Sequence, residues 1–124
     1  MKTLAHIFLL FILLPFAASA QDYKRTFNWY FGDSAGISFA NIPSVPLSNG
    51  SMGLGSLTYE GCATVSDTNG TLLFYSNGRT VWNKNHQVMV NGNSIFGHQS
   101  STQSSIILPQ PGNDSLYYLF TTDA

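Results

Sequence analysis

A single cysteine, Cys62, stands in this chain of 124 residues. An intramolecular disulfide is therefore excluded, and the staple on which small exported domains commonly rely is missing. A lone thiol in an apolar run reads as a small buried hydrophobe. A reactive one needs a basic neighbour to lower its pKa, and none is close in sequence. Charge is scarce as well: Asp, Glu, Lys and Arg make up 9% of the residues. Beyond residue 20 there are four basic side chains (Lys24, Arg25, Arg79, Lys84) against six acidic ones (Asp22, Asp33, Glu60, Asp67, Asp114, Asp123), a net charge of about −2. With no basic cluster, the balance argues against a nucleic-acid partner, which needs its phosphates neutralised, and against anionic membrane surfaces. Helical periodicity is also lacking, since no window repeats apolar residues at i, i+3, i+4 and i+7.

Long hydrophobic runs are missing but for one at the start. Ile7 to Phe16 is apolar, follows Lys2 and His6, and precedes the small-residue stretch Ala18-Ser19-Ala20. Its ten residues include Pro15, too short to cross about 30 Å of hydrocarbon as a helix. The pattern predicts a secretory signal over 1–20, cleaved after Ala20. The mature chain, 21–124, is then expected to be secreted or held at the outer cell surface, with no transmembrane segment. No cysteine follows the cleavage site, which argues against a lipid anchor there. The remaining 104 residues are of single-domain size.

What is abundant is turn chemistry. Gly, Ser and Asn account for 35 of those 104 residues. Turn signals recur at Gly32-Asp33, Asn49-Gly50, Asn69-Gly70, Asn77-Gly78, Asn91-Gly92 and Pro111-Gly112-Asn113-Asp114. The most informative stretch is Glu60 to Asn83, EGCATVSDTNGTLLFYSNGRTVWN, where two Asn-Gly pairs separate β-branched and aromatic runs. Asn-Gly readily supplies positive φ at both central positions of a hairpin turn. The spacing predicts three antiparallel strands at about 63–66, 71–76 and 79–82, in an all-β protein.

The strands are apolar on both faces. Leu72-Leu73-Phe74-Tyr75 and Leu116-Tyr117-Tyr118-Leu119-Phe120 place large side chains up and down. Burying each is worth roughly 1.5–3 kcal/mol, so such sheets want partners on two sides. There is also an echo: Ala63-Thr64-Val65 and Leu72 to Ser76 resemble Ile106-Ile107-Leu108 and Tyr117 to Thr121, with Val65 to Leu108 offset by 43 and Leu72 to Tyr117 by 45. Trp29-Tyr30-Phe31 turning into Ile37-Ser38-Phe39 is a weaker third copy. Periods of about 40–50 residues belong to propeller blades. The expected architecture is a set of antiparallel meanders forming the first blades of an incomplete β-propeller, with a two-sheet β-sandwich as the alternative. At about 44 residues a blade the mature chain makes little more than two, whereas closed rings need at least four. The expectation is thus the N-terminal part of a longer protein.

Chemistry-bearing constellations are sparse. Asp67-Thr68-Asn69-Gly70 has the D-x-N-G core of calcium loops, but Leu72 and Leu73 stand where further oxygen ligands belong, and a hairpin turn is the reading preferred. His86 and His98 lack acidic or cysteine companions for a zinc site. The run His98 to Ser105 has no G-x-S-x-G elbow and no carboxylate-oriented base. No catalytic residue, cofactor or metal is therefore expected. Aromatics can stack on sugars, which makes Trp29, Tyr30, Trp82 and Tyr117 candidates. The hydroxyls and amides around Ser101 and Gln103 could line a pocket mouth. Trp29, Trp82, Ser101 and Gln103 are the expected ligand-binding residues.

Three blocks, NWYFGDSAGISF (28–39), EGCATVSDTNGTLLFYSNGRTVWNKNHQVM (60–89) and SSTQSSIILPQPGNDSLYYLFT (100–121), together resemble the N-terminal region of Bacteroidetes gliding-motility-associated surface proteins. Proteins of that family usually end in a type IX secretion sorting domain. The resemblance covers nearly all the mature chain and implies a propeller-like first domain, often followed by adhesive sandwich repeats. It further implies a non-catalytic role in adhesion, with an extracellular polysaccharide or surface protein as partner. The alternative is the start of a secreted propeller hydrolase or lyase acting on glycans, with its catalytic residues elsewhere. Fold cannot separate the two.

Overall fold

The computed structural model describes residues 23–52 and 60–123; the export signal expected over 1–20 lies outside them. The described chain is all-β. After a 3-10 turn at Tyr23–Thr26 come three antiparallel sheets. The first contains β1 (Asn28–Tyr30), β2 (Gly36–Ser38) and β3 (Val45–Leu47); the second contains β4 (Ala63–Ser66), β5 (Leu72–Ser76), β6 (Thr80–Asn83) and β7 (Val88–Asn93). The third pairs β8 (Ser105–Pro109) with β9 (Tyr117–Thr121). Every sheet is a meander in which strands adjacent in sequence are adjacent in space. No helix among the described residues is long and apolar enough to cross a membrane.

The three strands read from Glu60 to Asn83 form where expected, to within a residue, but their turns are built differently. Asn69 and Asn77 do not take positive φ; Gly70 (φ 89°) and Gly78 (φ 86°) do. The polar side chains serve as acceptors instead. Asp67 Oδ1 takes the N–H groups of Asn69 (2.8 Å) and Thr71 (2.9 Å), and Asn77 Oδ1 those of Arg79 (3.0 Å) and Thr80 (2.8 Å). Asx side chains compete for backbone amides in this way, so glycine alone carries the strained dihedral. A second correction concerns Asn91-Gly92. It lies inside β7, where the register jumps from Trp82↔Val88 to Thr80↔Asn93 and Asn91 takes φ 59°, a bulge rather than a turn. β3, which is not among the expected strands, carries Pro46 and so lacks one donor; it forms at the sheet's edge, where that loss is tolerated.

A bulge in β5 decides which residues face which neighbour. Val65 pairs with Phe74 and Ser66 with Leu72, so Leu73 is passed over. Thr64, Ser66, Leu72 and Tyr75 consequently share one face of the second sheet, and Val65, Phe74 and Ser76 the other. The first face meets the first sheet: Thr64 Oγ1 accepts the Tyr30 N–H (3.0 Å), and Ser66 Oγ accepts from Asn28 Nδ2 (3.0 Å). Tyr30 stacks on Tyr75 at 4.9 Å, Tyr75 stacks on Trp82 at 5.4 Å, and Met52 completes a buried cluster flanked by Leu47 and Leu72. The opposite face meets the third sheet, with the Phe74 ring edge-on to Tyr117 at 5.6 Å and β4 against β8. The second sheet therefore lies between the other two.

Candidate functional site: an aromatic wall on the first sheet

Alternation along β1 turns Tyr30 towards the second sheet and Trp29 the opposite way. Trp29 pairs across the ladder with Ile37, which pairs with Pro46, giving that face an apolar floor. Trp29 is 52% exposed, yet its indole is fixed in orientation. Its Nε1 donates to the Thr26 carbonyl (2.9 Å), and its ring sits edge-on to Phe39 at 5.3 Å. Two clefts open on either side of it. One, of about 270 Å³, is lined by Trp29, Tyr30, Phe31, Cys62 and Thr64. The other, of about 340 Å³, is lined by Tyr23, Thr26, Phe27, Trp29 and Phe39. Both walls are mainly aromatic, and Tyr23, Phe31 and Phe39 are exposed beside the indole.

Behind this wall a polar network locks the first sheet to the second. Tyr30 OH donates to Asn49 Oδ1 (2.9 Å), and Asn49 Nδ2 meets His86 Nε2 (2.9 Å). His86 Nδ1 meets Tyr75 OH (3.1 Å), which also accepts the Ser51 N–H (2.8 Å). The imidazole leans on both tyrosine rings, at 5.3 and 5.9 Å. Burial pushes the phenol pKa values of Tyr30 and Tyr75 up, which keeps both hydroxyls protonated as the network requires. Cys62 is exposed as a residue, but burial of its thiol against the cleft wall raises its pKa and makes it a poor nucleophile at neutral pH.

The four expected ligand residues land in three different settings. Trp29 is the wall between the clefts. Trp82 is buried in the core against Tyr75, so its ring is a packing element and offers no exposed face; the flanking aromatic strand filled that place because it is covered on both sides. Ser101 and Gln103 lie in the turn before β8. Ser101 Oγ donates to the Thr122 carbonyl (3.4 Å), and the exposed Gln103 offers its carbonyl to Thr122 Oγ1 (2.9 Å). Tyr30 is core, and Tyr117 bonds with Arg25. Sequence reasoning missed Tyr23, Phe31, Phe39 and Cys62. For Phe31 and Phe39 the signal was present, as large apolar residues flanking short strands, but their common side could not be assigned before the pairing was known.

The remaining candidates resolve locally. Asp67 spends its carboxylate on turn amides, and the Thr71 N–H above all holds its pKa below the usual aspartate range. His98 Nδ1 accepts the Ser100 N–H (3.3 Å), and the backbone N–H of His98 donates to the Thr122 carbonyl (2.9 Å). No group of three His, Cys, Asp or Glu that could hold a metal occurs among the described residues. Comparison with family models, with curated proteins and with solved structures finds no match to the chain.

Proposed function

We propose that this chain is the first part of a propeller-like, non-catalytic module of an exported, adhesin-like surface protein, and that it binds extracellular polysaccharide at the Trp29 wall. The observation that carries the reading is a half-exposed tryptophan whose indole is held rigid between two clefts. An exposed tryptophan whose orientation costs nothing further on binding is suited to stacking on the apolar face of a pyranose ring. The export signal, the sequence echo and the resemblance to gliding-motility-associated surface proteins support the setting.

A glycan array probed with the full chain tests the binding, followed by the same measurement on Trp29→Ala. A stacked platform worth about 1.4 kcal/mol gives a tenfold loss of affinity, while the melting temperature stays near that of the parent. Binding to no glycan, or equal binding by Trp29→Ala, overturns the assignment. Release of new reducing ends from a bound glycan would instead favour the hydrolase. Export is tested separately: N-terminal sequencing of protein recovered outside the cell should begin at Gln21, and retention inside with Met1 intact would refute it.

A further inference from the structure

The 43-residue offset of the sequence echo maps faces onto faces from β4 to β8; from β5 to β9 the 45-residue offset does so only at Leu72 and Tyr117, because the passed-over Leu73 puts Phe74 and Tyr75 on the sides opposite to Leu119 and Phe120. Val65 and Leu108 both lie on the side of their sheet turned away from the preceding sheet, and Leu72 and Tyr117 both on the side turned towards it. Yet the two outward faces differ in exposure. Val65 is 5% exposed, lying on the face that the third sheet covers, whereas its counterpart Leu108 is 44% exposed. Leu108 is not isolated. It pairs across the ladder with Tyr118, and Ile106 with Phe120, and all four side chains project from one face and are exposed. The patch has no charged member.

We propose that this outward face of β8–β9 is a docking surface whose occupant is a further antiparallel sheet of the same repeat. The stacking of sheets is continuous up to that face. Tyr75 of the second sheet lies on Tyr30 of the first, and Tyr117 of the third lies against Phe74 of the second. At each step the second strand of the incoming sheet delivers a tyrosine to the sheet before it. The Leu108–Tyr118 and Ile106–Phe120 pairs offer the next such seat. Charge is lacking there, and the Tyr118 hydroxyl is the one polar side-chain group of the four, so a polar ligand has little to hold, while an apolar sheet face has the required fit. This inference rests on the propeller-like reading of the chain; glycan binding is read on a different sheet, so the docking surface and the Trp29 assignment can fail independently.

The test compares the 124-residue chain with the same chain extended after Ala124 by a second copy of residues 60–123, using the apolar dye bis-ANS and backbone hydrogen exchange. The unextended chain should bind the dye, and Leu108→Glu with Tyr118→Glu should cut that signal several-fold, whereas Val90→Glu, equally apolar and exposed in β7, should not. In the extended chain, exchange of the original β8 and β9 amides should slow at least tenfold. Absence of dye binding by the unextended chain, an equal effect of Val90→Glu, or unchanged exchange in the extended chain would each overturn the proposal.

Discussion

Tyr75 stands at the middle of the buried aromatic stack and joins it to the polar network around His86. Its ring is fully buried between Tyr30 and Trp82, and its hydroxyl is the only acceptor recorded for the Ser51 N–H among the described groups. Tyr75→Phe keeps the stacking and removes the acceptor, leaving a part-buried amide unsatisfied. That should cost about 1–3 kcal/mol, read as a lower midpoint in urea. The pH consequence follows from the raised phenol pKa values. A group whose folded pKa exceeds its unfolded value favours folding below the unfolded value, near pH 10 for tyrosine, and loses that contribution as pH climbs through the folded one. Stability should therefore fall steeply above about pH 10, and less steeply in Tyr75→Phe, where of the two phenols with raised pKa only that of Tyr30 remains to ionise. Identical alkaline slopes in the two proteins would contradict the role given to Tyr75.

Between elements, close approach decides which turns can be altered. Gly78 opens the β5–β6 hairpin at φ 86°, and a methyl group there would stand 2.7 Å from the Ser104 carbonyl oxygen and 2.9 Å from its Cβ. The Ser104 segment is itself pinned, its Oγ donating to the Gly61 carbonyl at 2.6 Å, so it cannot give way freely. Gly78→Ala should cost about 1–2 kcal/mol for the left-handed conformation alone, and more for the displaced backbone. Gly112 has the same sign of φ, at 74°, but open space around it; Gly112→Ala should show the dihedral cost without the excess. Thermal melts of the two variants separate the contributions, and equal losses would remove the steric one. The same pair shows how far the sequence was legible. Both glycines were visible as turns, but only the packing of the third sheet on the second distinguishes them.

At the scale of the whole molecule, the N-terminal turn ties the first described residues to the last strand. Arg25 donates to Tyr117 OH at 2.5 Å and to Asp114 Oδ1 at 2.8 Å, bridging 92 and 89 residues of sequence. The two bonds are unequal in value. The guanidinium side chain is 11% exposed, but Asp114 is 85% exposed, and an ion pair with a partner so wet contributes about 0–1 kcal/mol. Asp114→Ala should therefore change the unfolding midpoint little. Arg25→Ala should cost about 1.5–3 kcal/mol through the charge-assisted bond to Tyr117. A larger effect from Asp114→Ala than from Arg25→Ala would reverse this account. Nothing in the sequence joined Arg25 to Tyr117: contacts across such separations depend on how the sheets are stacked.

By itself the sequence determined the all-β class, the places of most strands and the positions of the β1–β2, β4–β5, β5–β6 and β8–β9 hairpins. Those follow from local terms: the φ that glycine permits, the amides that Asp and Asn capture, and the tendency of β-branched and aromatic runs to extend. Tertiary structure decided everything that depends on a face. It hid Trp82 and exposed Trp29, turned Asn91-Gly92 into a bulge, and admitted β3 despite Pro46. The reason is parity. One passed-over residue, Leu73, reverses the side on which its neighbours fall, and that slip is set by strand pairing and the sheets packed above and below, which no local pattern encodes.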